Sequence, residues 1–129
     1  MPIRYRVAER GQAGVTGGGN KKYCAMPTKR ELVDIWKISK EIEKISTFSQ
    51  ADTFGVLYAM MTVIIDHIKN GDSVRLGDLG IFTLALKSKM EDGPEKVDAE
   101  SIQEVMLKFR PSVRMKEELK NCEFKKIKG

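Results

Sequence analysis

The residue types that usually catalyse reactions or bind metals are sparse in this sequence. His67 is the only histidine, and it stands beside Asp66 on the predicted polar flank of a helix. Cys24 and Cys122 lie far apart and have no second ligand at zinc-binding spacing. A nucleophile needs a base beside it, and one helical histidine does not supply that base. We therefore expect no catalytic residue, no metal site and no cofactor.

The chemistry that the sequence does offer is that of repeated cations. Lys87 and Lys89 alternate on one predicted strand, and Lys108 and Arg110 alternate on another. Side chains two residues apart share one face of a strand, so these cations could neutralise phosphates with little sequence specificity. The alternative is that they form an ordinary solvated strand surface. Further basic residues occupy the predicted helix after Pro111, namely Arg114, Lys116 and Lys120.

The charge balance favours polyanionic partners only moderately. The formal net charge is +5, from 23 Lys and Arg against 18 Asp and Glu. Residues 72–129 are nearly balanced, with twelve basic groups against eleven acidic ones. Most of the excess lies before residue 24, where Glu9 is the only acidic residue and the basic ones are Arg4, Arg6, Arg10, Lys21 and Lys22. We expect this N-terminal segment to assist binding.

The cysteines and the apolar pattern bear on the compartment. A disulfide between Cys24 and Cys122 is one alternative, and two free thiols in a reducing cytoplasm is the one that we favour. No uninterrupted apolar run reaches the roughly 18 residues of a membrane span. The N-terminal residues also lack the apolar centre of a signal peptide. We expect a cytoplasmic protein without a membrane partner.

Composition divides the chain into three predicted parts. Residues 1–27 form a basic extension, in which alternation predicts strands at 3–9 and 21–26 around a Gly-rich loop. Residues 28–122 form the main domain, and residues 123–129 form a Lys-rich tail.

Two helices are predicted at the start of the main domain. Thr28 and Glu31 match a capping box that would begin the first helix, which continues to about residue 45. Ser49 begins the second helix, which is apolar along one stripe and again at Val56, Met60 and Val63. Such a helix needs cover from two directions. We infer a homodimer with a shared core; burial under the chain's own sheet is the alternative.

Strands and a final helix are predicted after Gly71. Residues 71–82 read as two short strands joined by a glycine corner, and alternation continues to Lys89 and again over 105–110. The connection at 91–104 is acidic and turn-rich, with one possible helical turn at Asp98. A helix is expected over about 113–122.

Two blocks of residues resemble the bacterial histone-like HU/IHF family. They are Gly71-Asp72-Ser73-Val74-Arg75-Leu76-Gly77-Asp78-Leu79-Gly80-Ile81-Phe82 and Phe109-Arg110-Pro111-Ser112. The resemblance covers about residues 28–120. Within the family, the pattern is similar to that of a divergent Bacteroidetes-type HU-like branch. It implies an α+β fold with two N-terminal helices, a three-stranded antiparallel sheet with a β-arm, and a short C-terminal helix. We expect that fold, with the N-terminal β extension added, in an intertwined dimer.

The resemblance also implies a function and a site. It implies a non-catalytic, nucleoid-associated protein that contacts the backbone of double-stranded DNA with low sequence specificity. Arg110 and Lys116 stand where the family has phosphate-contacting lysines. The family's arm inserts a proline into the minor groove, and Pro94 stands near that position. The expected DNA-binding residues are Arg75, Lys87, Lys89, Lys108, Arg110, Arg114, Lys116 and Lys120.

Departures from the family pattern leave a second hypothesis open. Asp78-Leu79 replaces Gly-Phe, Ser112 replaces a glycine, and Val113 replaces a lysine. The arm has only Lys96 against Glu91, Asp92, Glu95, Asp98, Glu100 and Glu104. The alternative is an HU-scaffold protein-interaction or structural dimer that has lost tight DNA binding and that contacts a protein through the acidic 91–104 loop.

Overall fold

A computed structural model describes residues 2–11, 14, 17, 19, 21–28 and 30–127. Most of the predicted Gly-rich loop and the end of the Lys-rich tail lie outside these residues. The chain divides into two compact units. One unit combines the residues up to Leu32 with those from Glu118 onward, and the other comprises Val33–Glu117.

The first unit contains a three-stranded sheet built from both ends of the chain. Its strands are β1 (Ile3–Arg10), β2 (Lys22–Pro27) and β6 (Phe124–Lys126), in the order β2-β1-β6. The predicted N-terminal strands β1 and β2 pair antiparallel. Strand β6, from the segment expected to be a tail, pairs parallel with β1 and places Ile3 beside Phe124.

Two helices open the second unit. Helix α1 (Ile35–Ile45) begins at Asp34, whose carboxylate accepts a hydrogen bond from the Lys37 N–H. The predicted start at Thr28 was wrong. The Thr28 N–H instead donates to the Arg4 carbonyl, 3.1 Å away, so the backbone there extends the β1–β2 pairing and does not turn into a helix.

Helix α2 (Gln50–Lys69) begins at Ser49 as predicted, with the Ser49 hydroxyl accepting from the Asp52 N–H. It ends before Gly71, whose φ of +87° suits a left-handed position. Its 20 residues are long enough to span a membrane, and an 18-residue window within them has a mean hydropathy of 1.3. The sequence prediction relied on uninterrupted apolar runs and therefore did not find this property.

One apolar line of α2 lies against its own unit, and another is open. Trp36 of α1 packs edge-on against Phe54, with ring centroids 5.3 Å apart. On the second line, Val56 is 68% exposed and Val63 is 55% exposed. Among the described residues no apolar side chain is fully buried. The unit therefore has partly buried apolar side chains on one line of α2 and clearly exposed ones on the other.

The second sheet is antiparallel and runs in the order β3-β4-β5. Its strands are β3 (Val74–Arg75), β4 (Gly80–Ser88) and β5 (Ile102–Pro111). Register places Phe82 opposite Phe109 and Leu84 opposite Leu107, so the apolar positions of both long strands share one face, as predicted. That face is also open, and Leu107 is 57% exposed.

The β4–β5 ribbon ends in a folded connection. Two 3-10 turns, Pro94–Lys96 and Ala99–Ser101, form most of it, and the second is the helical turn expected near Asp98. At the other end of the ribbon, Pro111 leads into helix α3 (Val113–Lys120), which is close to the predicted span.

Candidate nucleic-acid interface

The proximal end of the ribbon, where β4 begins and β5 ends, is shaped by a tight corner. The Leu76 N–H donates to the Gly80 carbonyl at 2.8 Å, and the Leu79 N–H donates to the Leu76 carbonyl at 3.0 Å. Gly80 is buried with a φ of +154°. A β-carbon there would collide with the Arg110 carbonyl oxygen and lie 2.8 Å from the Phe109 ring. The corner therefore lets β3, β4 and β5 approach closely.

Close approach of the strands aligns cations on the polar face of the sheet. Ile81 pairs with Arg75 of β3 on one side and with Arg110 of β5 on the other. The next pair on this face is Thr83 with Lys108. Adjacent strands lie about 4.8 Å apart, and same-face neighbours recur about every 6.7 Å along a strand. We call Arg75, Lys108 and Arg110 the cation row; all three are exposed.

Helix α3 places a further cation, Lys116, beside the cation row. A groove of about 470 Å³ lies between the corner and the start of α3, and Arg75, Arg110 and Lys116 all line it. The backbone of Gly77 and Gly80 forms part of its wall. Three of the predicted DNA-binding residues therefore meet in one groove, although the first and the last of them, Arg75 and Lys116, are 41 positions apart in the sequence.

The start of α3 is fastened to the corner by residues that sequence reasoning did not place in the site. The Ser112 hydroxyl donates to the Asp78 carbonyl and accepts from the Met115 N–H, so it caps α3. The Ser112 N–H donates to the Leu79 carbonyl at 3.0 Å. Asp78 and Ser112 are two of the departures from the HU/IHF pattern, and here they contact each other. A serine directly before a predicted helix was the available signal.

Arg114 is held by Asp78 and is not an open cation. Its guanidinium Nη1 lies 3.0 Å from Asp78 Oδ2, and both side chains are well exposed. An exposed pair of this kind is weak, about 0–1 kcal/mol, so phosphate could compete for Arg114. The predicted role of Arg114 on DNA stays a prediction.

The other predicted cations lie away from the cation row. Lys87 shares the polar face of the ribbon but sits opposite Glu104, beside an irregularity in the β4–β5 register. Lys89 follows the end of β4, where its N–H donates to the Ser101 carbonyl at 2.8 Å. Lys120 ends α3 within the other unit. The structure thus groups four of the eight predicted residues, namely Arg75, Lys108, Arg110 and Lys116. Of the other four, Arg114 is paired with Asp78, and Lys87, Lys89 and Lys120 lie at other positions.

The distal end of the ribbon, residues 89–101, is acidic and internally bonded; we call it the arm tip. Ser101 is 2% exposed, and its hydroxyl contacts both Glu91 Oε1 and the Asp98 N–H, each at 3.3 Å. The Asp98 carboxylate accepts from the Glu100 N–H at 3.0 Å. Pro94, near the position of the family's inserted proline, lies in the first 3-10 turn.

The histidine and the two cysteines, which were considered for catalysis and metal binding, do not form a joint site. His67 Nδ1 lies 2.9 Å from Asp72 Oδ2, which ties the end of α2 to the following loop. Cys24 and Cys122 are free thiols. Over the described residues no group of three histidine, cysteine or acidic side chains could hold a metal ion.

Comparisons with solved structures bear on the fold. A Bacteroides vulgatus ATCC 8482 crystal structure, described as a candidate bacterial DNA-binding protein, matches 97% of this chain at 13% identity and a TM-score of 0.63. This chain spans 48% of that protein's length. A cocrystal structure of Anabaena HU with DNA matches 69% of this chain and 99% of the HU chain, at 15% identity and a TM-score of 0.54.

Sequence comparison defines the family. No curated protein sequence matches the chain. The HU-HIG family, described as an HU domain fused to a wHTH, Ig or glycine-rich motif, matches residues 1–126. That match covers nearly the whole sequence and includes the corner, the cation row and the terminal strands β1 and β6. Together with the HU-like mixed α+β fold, it establishes that the chain belongs to the HU-HIG family.

Proposed function

We propose that this protein is a non-catalytic DNA-binding protein that holds duplex DNA by its phosphate backbone with low sequence specificity. The cation row carries the proposal, because three exposed cations from two edge strands share the polar face of the sheet, and Lys116 joins two of them in one groove. The family and the HU–DNA neighbour support it. We further propose that the protein acts in the bacterial cytoplasm as part of the nucleoid.

Backbone contacts of this kind predict weak dependence on base sequence. Arg and Lys on phosphates fix the position of a protein on the duplex but do not read base edges. The acidic arm tip would repel phosphate, so the proposed contact lies at the proximal end and at α3. We therefore expect limited bending of the DNA and no insertion of Pro94.

The same proposal includes a homodimer with a shared apolar core. Val56, Met60 and Val63 form an open line on α2, and the apolar face of the β3-β4-β5 sheet is open as well. Burying such surfaces yields about 25 cal/mol for each Å² removed from water. A second copy would cover these surfaces and set two cation rows on one assembly. This use of α2 explains its membrane-like hydropathy without a membrane partner.

The test of DNA binding is fluorescence anisotropy of a labelled duplex titrated with the full chain at several salt concentrations. The variant Arg75→Gln/Lys108→Gln/Arg110→Gln should bind more weakly, and its slope of log affinity against log salt should be shallower by about 2.7 per bound protomer. Changing the duplex sequence should alter affinity little.

The matched control removes the same charge from exposed helix positions, with Lys40→Gln/Lys44→Gln/Lys69→Gln. This control should keep most of the wild-type slope. Equal losses in the two triple variants would overturn the cation row as the contact surface. Absence of wild-type binding at low salt would overturn DNA binding itself.

The test of the dimer is sedimentation of Val63→Glu beside Thr62→Glu. Val63 lies on the open apolar line, whereas Thr62 lies on the polar side of α2 and is exposed. We expect Val63→Glu to sediment as a monomer or to unfold, and Thr62→Glu to remain a dimer. A monomeric wild-type protein would contradict the shared core.

One observation favours a second candidate function, a contact with another protein through the arm tip. The buried Ser101 hydroxyl and the Asp98 cap order this acidic connection, so its carboxylates are displayed on a defined surface. Reversing charges in the arm tip should then abolish binding of a basic protein partner. The same change should leave duplex binding unchanged or improve it.

A further inference from the structure

The sheet of the first unit sorts its residues into two chemically different faces. Register pairs Arg4 with Lys125, and it pairs Arg10 with Lys22. Arg6 lies between them on the same face, because side chains alternate along β1. We call these five exposed cations the terminal basic face; they are Arg4, Arg6, Arg10, Lys22 and Lys125.

No acidic side chain shares the paired positions of the terminal basic face. The remaining paired positions there are Ala8, Cys24 and Met26. Glu9 points to the opposite face, where Lys21 lies 3.4 Å from its carboxylate. Within the described part of the chain, none of the five cations forms an ion pair. Arg10 contacts only the Met26 sulfur, at 3.6 Å. The charge of this face is therefore available to an anionic partner.

The opposite face of the same sheet has the aromatic side chains. Ile3 pairs with Phe124, and Glu9 pairs with Tyr23. Tyr23 is 65% exposed and Phe124 is 68% exposed. Proteins that bind single-stranded nucleic acid combine cations with aromatic groups on which bases stack. The paired positions of the terminal basic face include no aromatic residue, so this face offers charge without stacking, whereas the opposite face has Lys126 and the ion-paired Lys21 beside its aromatic groups. Charge without stacking suits a duplex, whose phosphates lie on the outside and whose base faces are stacked inside.

We propose that the terminal basic face is a second phosphate-binding surface for duplex DNA, formed when the C-terminal strand β6 joins the N-terminal strand β1. The proposal rests on the proposed DNA-binding function and adds a site on the other unit. Five cations on one face of the sheet would release counterions in the same way as the cation row. A chain with two such surfaces contacts more phosphates than the HU-like unit alone.

The test is duplex anisotropy against salt with the full-chain variant Arg4→Gln/Arg6→Gln/Lys125→Gln. The slope of log affinity against log salt should become shallower by about 2.7 per bound protomer, with a smaller relative loss on single strands. The charge-matched control is Lys40→Gln/Lys44→Gln/Lys126→Gln, in which Lys126 lies next to Lys125 but on the other face. The control should keep the wild-type slope.

A charge-conserving variant separates loss of charge from loss of fold. Arg4→Lys/Arg6→Lys with Lys125 intact should keep the slope, and thermal melting checks that the glutamine variant is folded. Equal slopes for the glutamine variant and its control would overturn the second surface. If that happened while the Arg75/Lys108/Arg110 variant lost affinity, only this inference would fail.

The reverse result is a shallower slope for the Arg4/Arg6/Lys125 glutamine variant with unchanged affinity for the Arg75/Lys108/Arg110 variant. It would support the terminal basic face and overturn the cation row as a contact surface. A third result would reassign the face to membranes. In that case the glutamine variant would lose binding to vesicles of phosphatidylcholine with phosphatidylserine while its duplex slope stayed at the wild-type value. That outcome would overturn the duplex as the partner of this face.

Discussion

The two ends of the β4–β5 ribbon share the same pair of strands but differ in charge and in what holds them together. The proximal end has Arg75, Arg110 and Lys116 around a groove, and its backbone is constrained by Gly80. The distal end is acidic and is held by hydrogen bonds that converge on Ser101. The proximal end depends on close backbone packing at Gly80 together with the Ser112 cap, whereas the distal end depends on the hydrogen bonds of a buried serine hydroxyl.

This difference indicates which part of an HU-like ribbon can act on DNA in this chain. In a DNA-bending arm the distal end would be cationic and would enter the minor groove. Here the distal carboxylates oppose that entry, whereas the cations of the proximal end are exposed and clustered. A common scaffold therefore permits different contact regions, and the charges decide between them.

The largest expected effect comes from breaking the proximal corner with Gly80→Ala. The new β-carbon would collide with the Arg110 carbonyl and the Phe109 ring, and φ of +154° disfavours any side chain. We expect a loss of about 3 kcal/mol in the free energy of unfolding. Gly77→Ala is the control, because its β-carbon meets open space and only its φ of +50° is strained, at about 1 kcal/mol. Urea unfolding at one protein concentration compares them, and equal losses would contradict the close-approach argument.

A smaller effect is expected from Ser101→Ala at the distal end. The change leaves the Asp98 N–H and the Glu91 carboxylate without their buried partner, which costs about 1–2 kcal/mol locally. The readout is amide hydrogen exchange of Lys89, whose N–H donates to the Ser101 carbonyl. Exchange should become roughly 5- to 30-fold faster. Ser73→Ala, which removes an exposed serine hydroxyl outside the arm tip, should leave that rate unchanged; a similar acceleration there would argue against the Ser101 network.

The smallest effect should come from reversing one charge of the arm tip with Glu95→Lys. If duplex DNA runs near the distal end, the slope of log affinity against log salt should steepen by about one per bound protomer. Glu41→Lys on α1 makes the same change in net charge away from the ribbon and should have less effect. A null result for Glu95→Lys would show that the DNA does not approach this part of the arm tip and would sharpen the contrast between the two ends.

Much of the fold was predictable because it depends on local chemistry. The Ser49 cap, the end of α2 before Gly71 and the alternation of β4 and β5 are properties of neighbouring residues, and the structure has each of them. The start of α1 was mispredicted because a capping-box pattern at Thr28 competes with strand pairing to Arg4, a contact that the local sequence does not reveal.

The candidate site was predictable in composition but not in arrangement. Alternation placed Lys108 and Arg110 on one strand face, and the family resemblance added Lys116. Only the register of three strands brings Arg75 and Arg110 to opposite sides of Ile81. The pairing of Arg114 with Asp78 likewise depends on the corner and α3 meeting in space.

The sequence by itself determined the family resemblance, the Ser49 cap and the alternation of β4 and β5, because these depend on residue type and short spacing. The tertiary structure decided which cations stand together. It aligned the cation row across β3, β4 and β5, and it joined Arg4 to Lys125 across almost the full length of the chain. The physical reason is that strand pairing acts between distant segments, and its register is set by backbone hydrogen bonds and packing that no local pattern encodes.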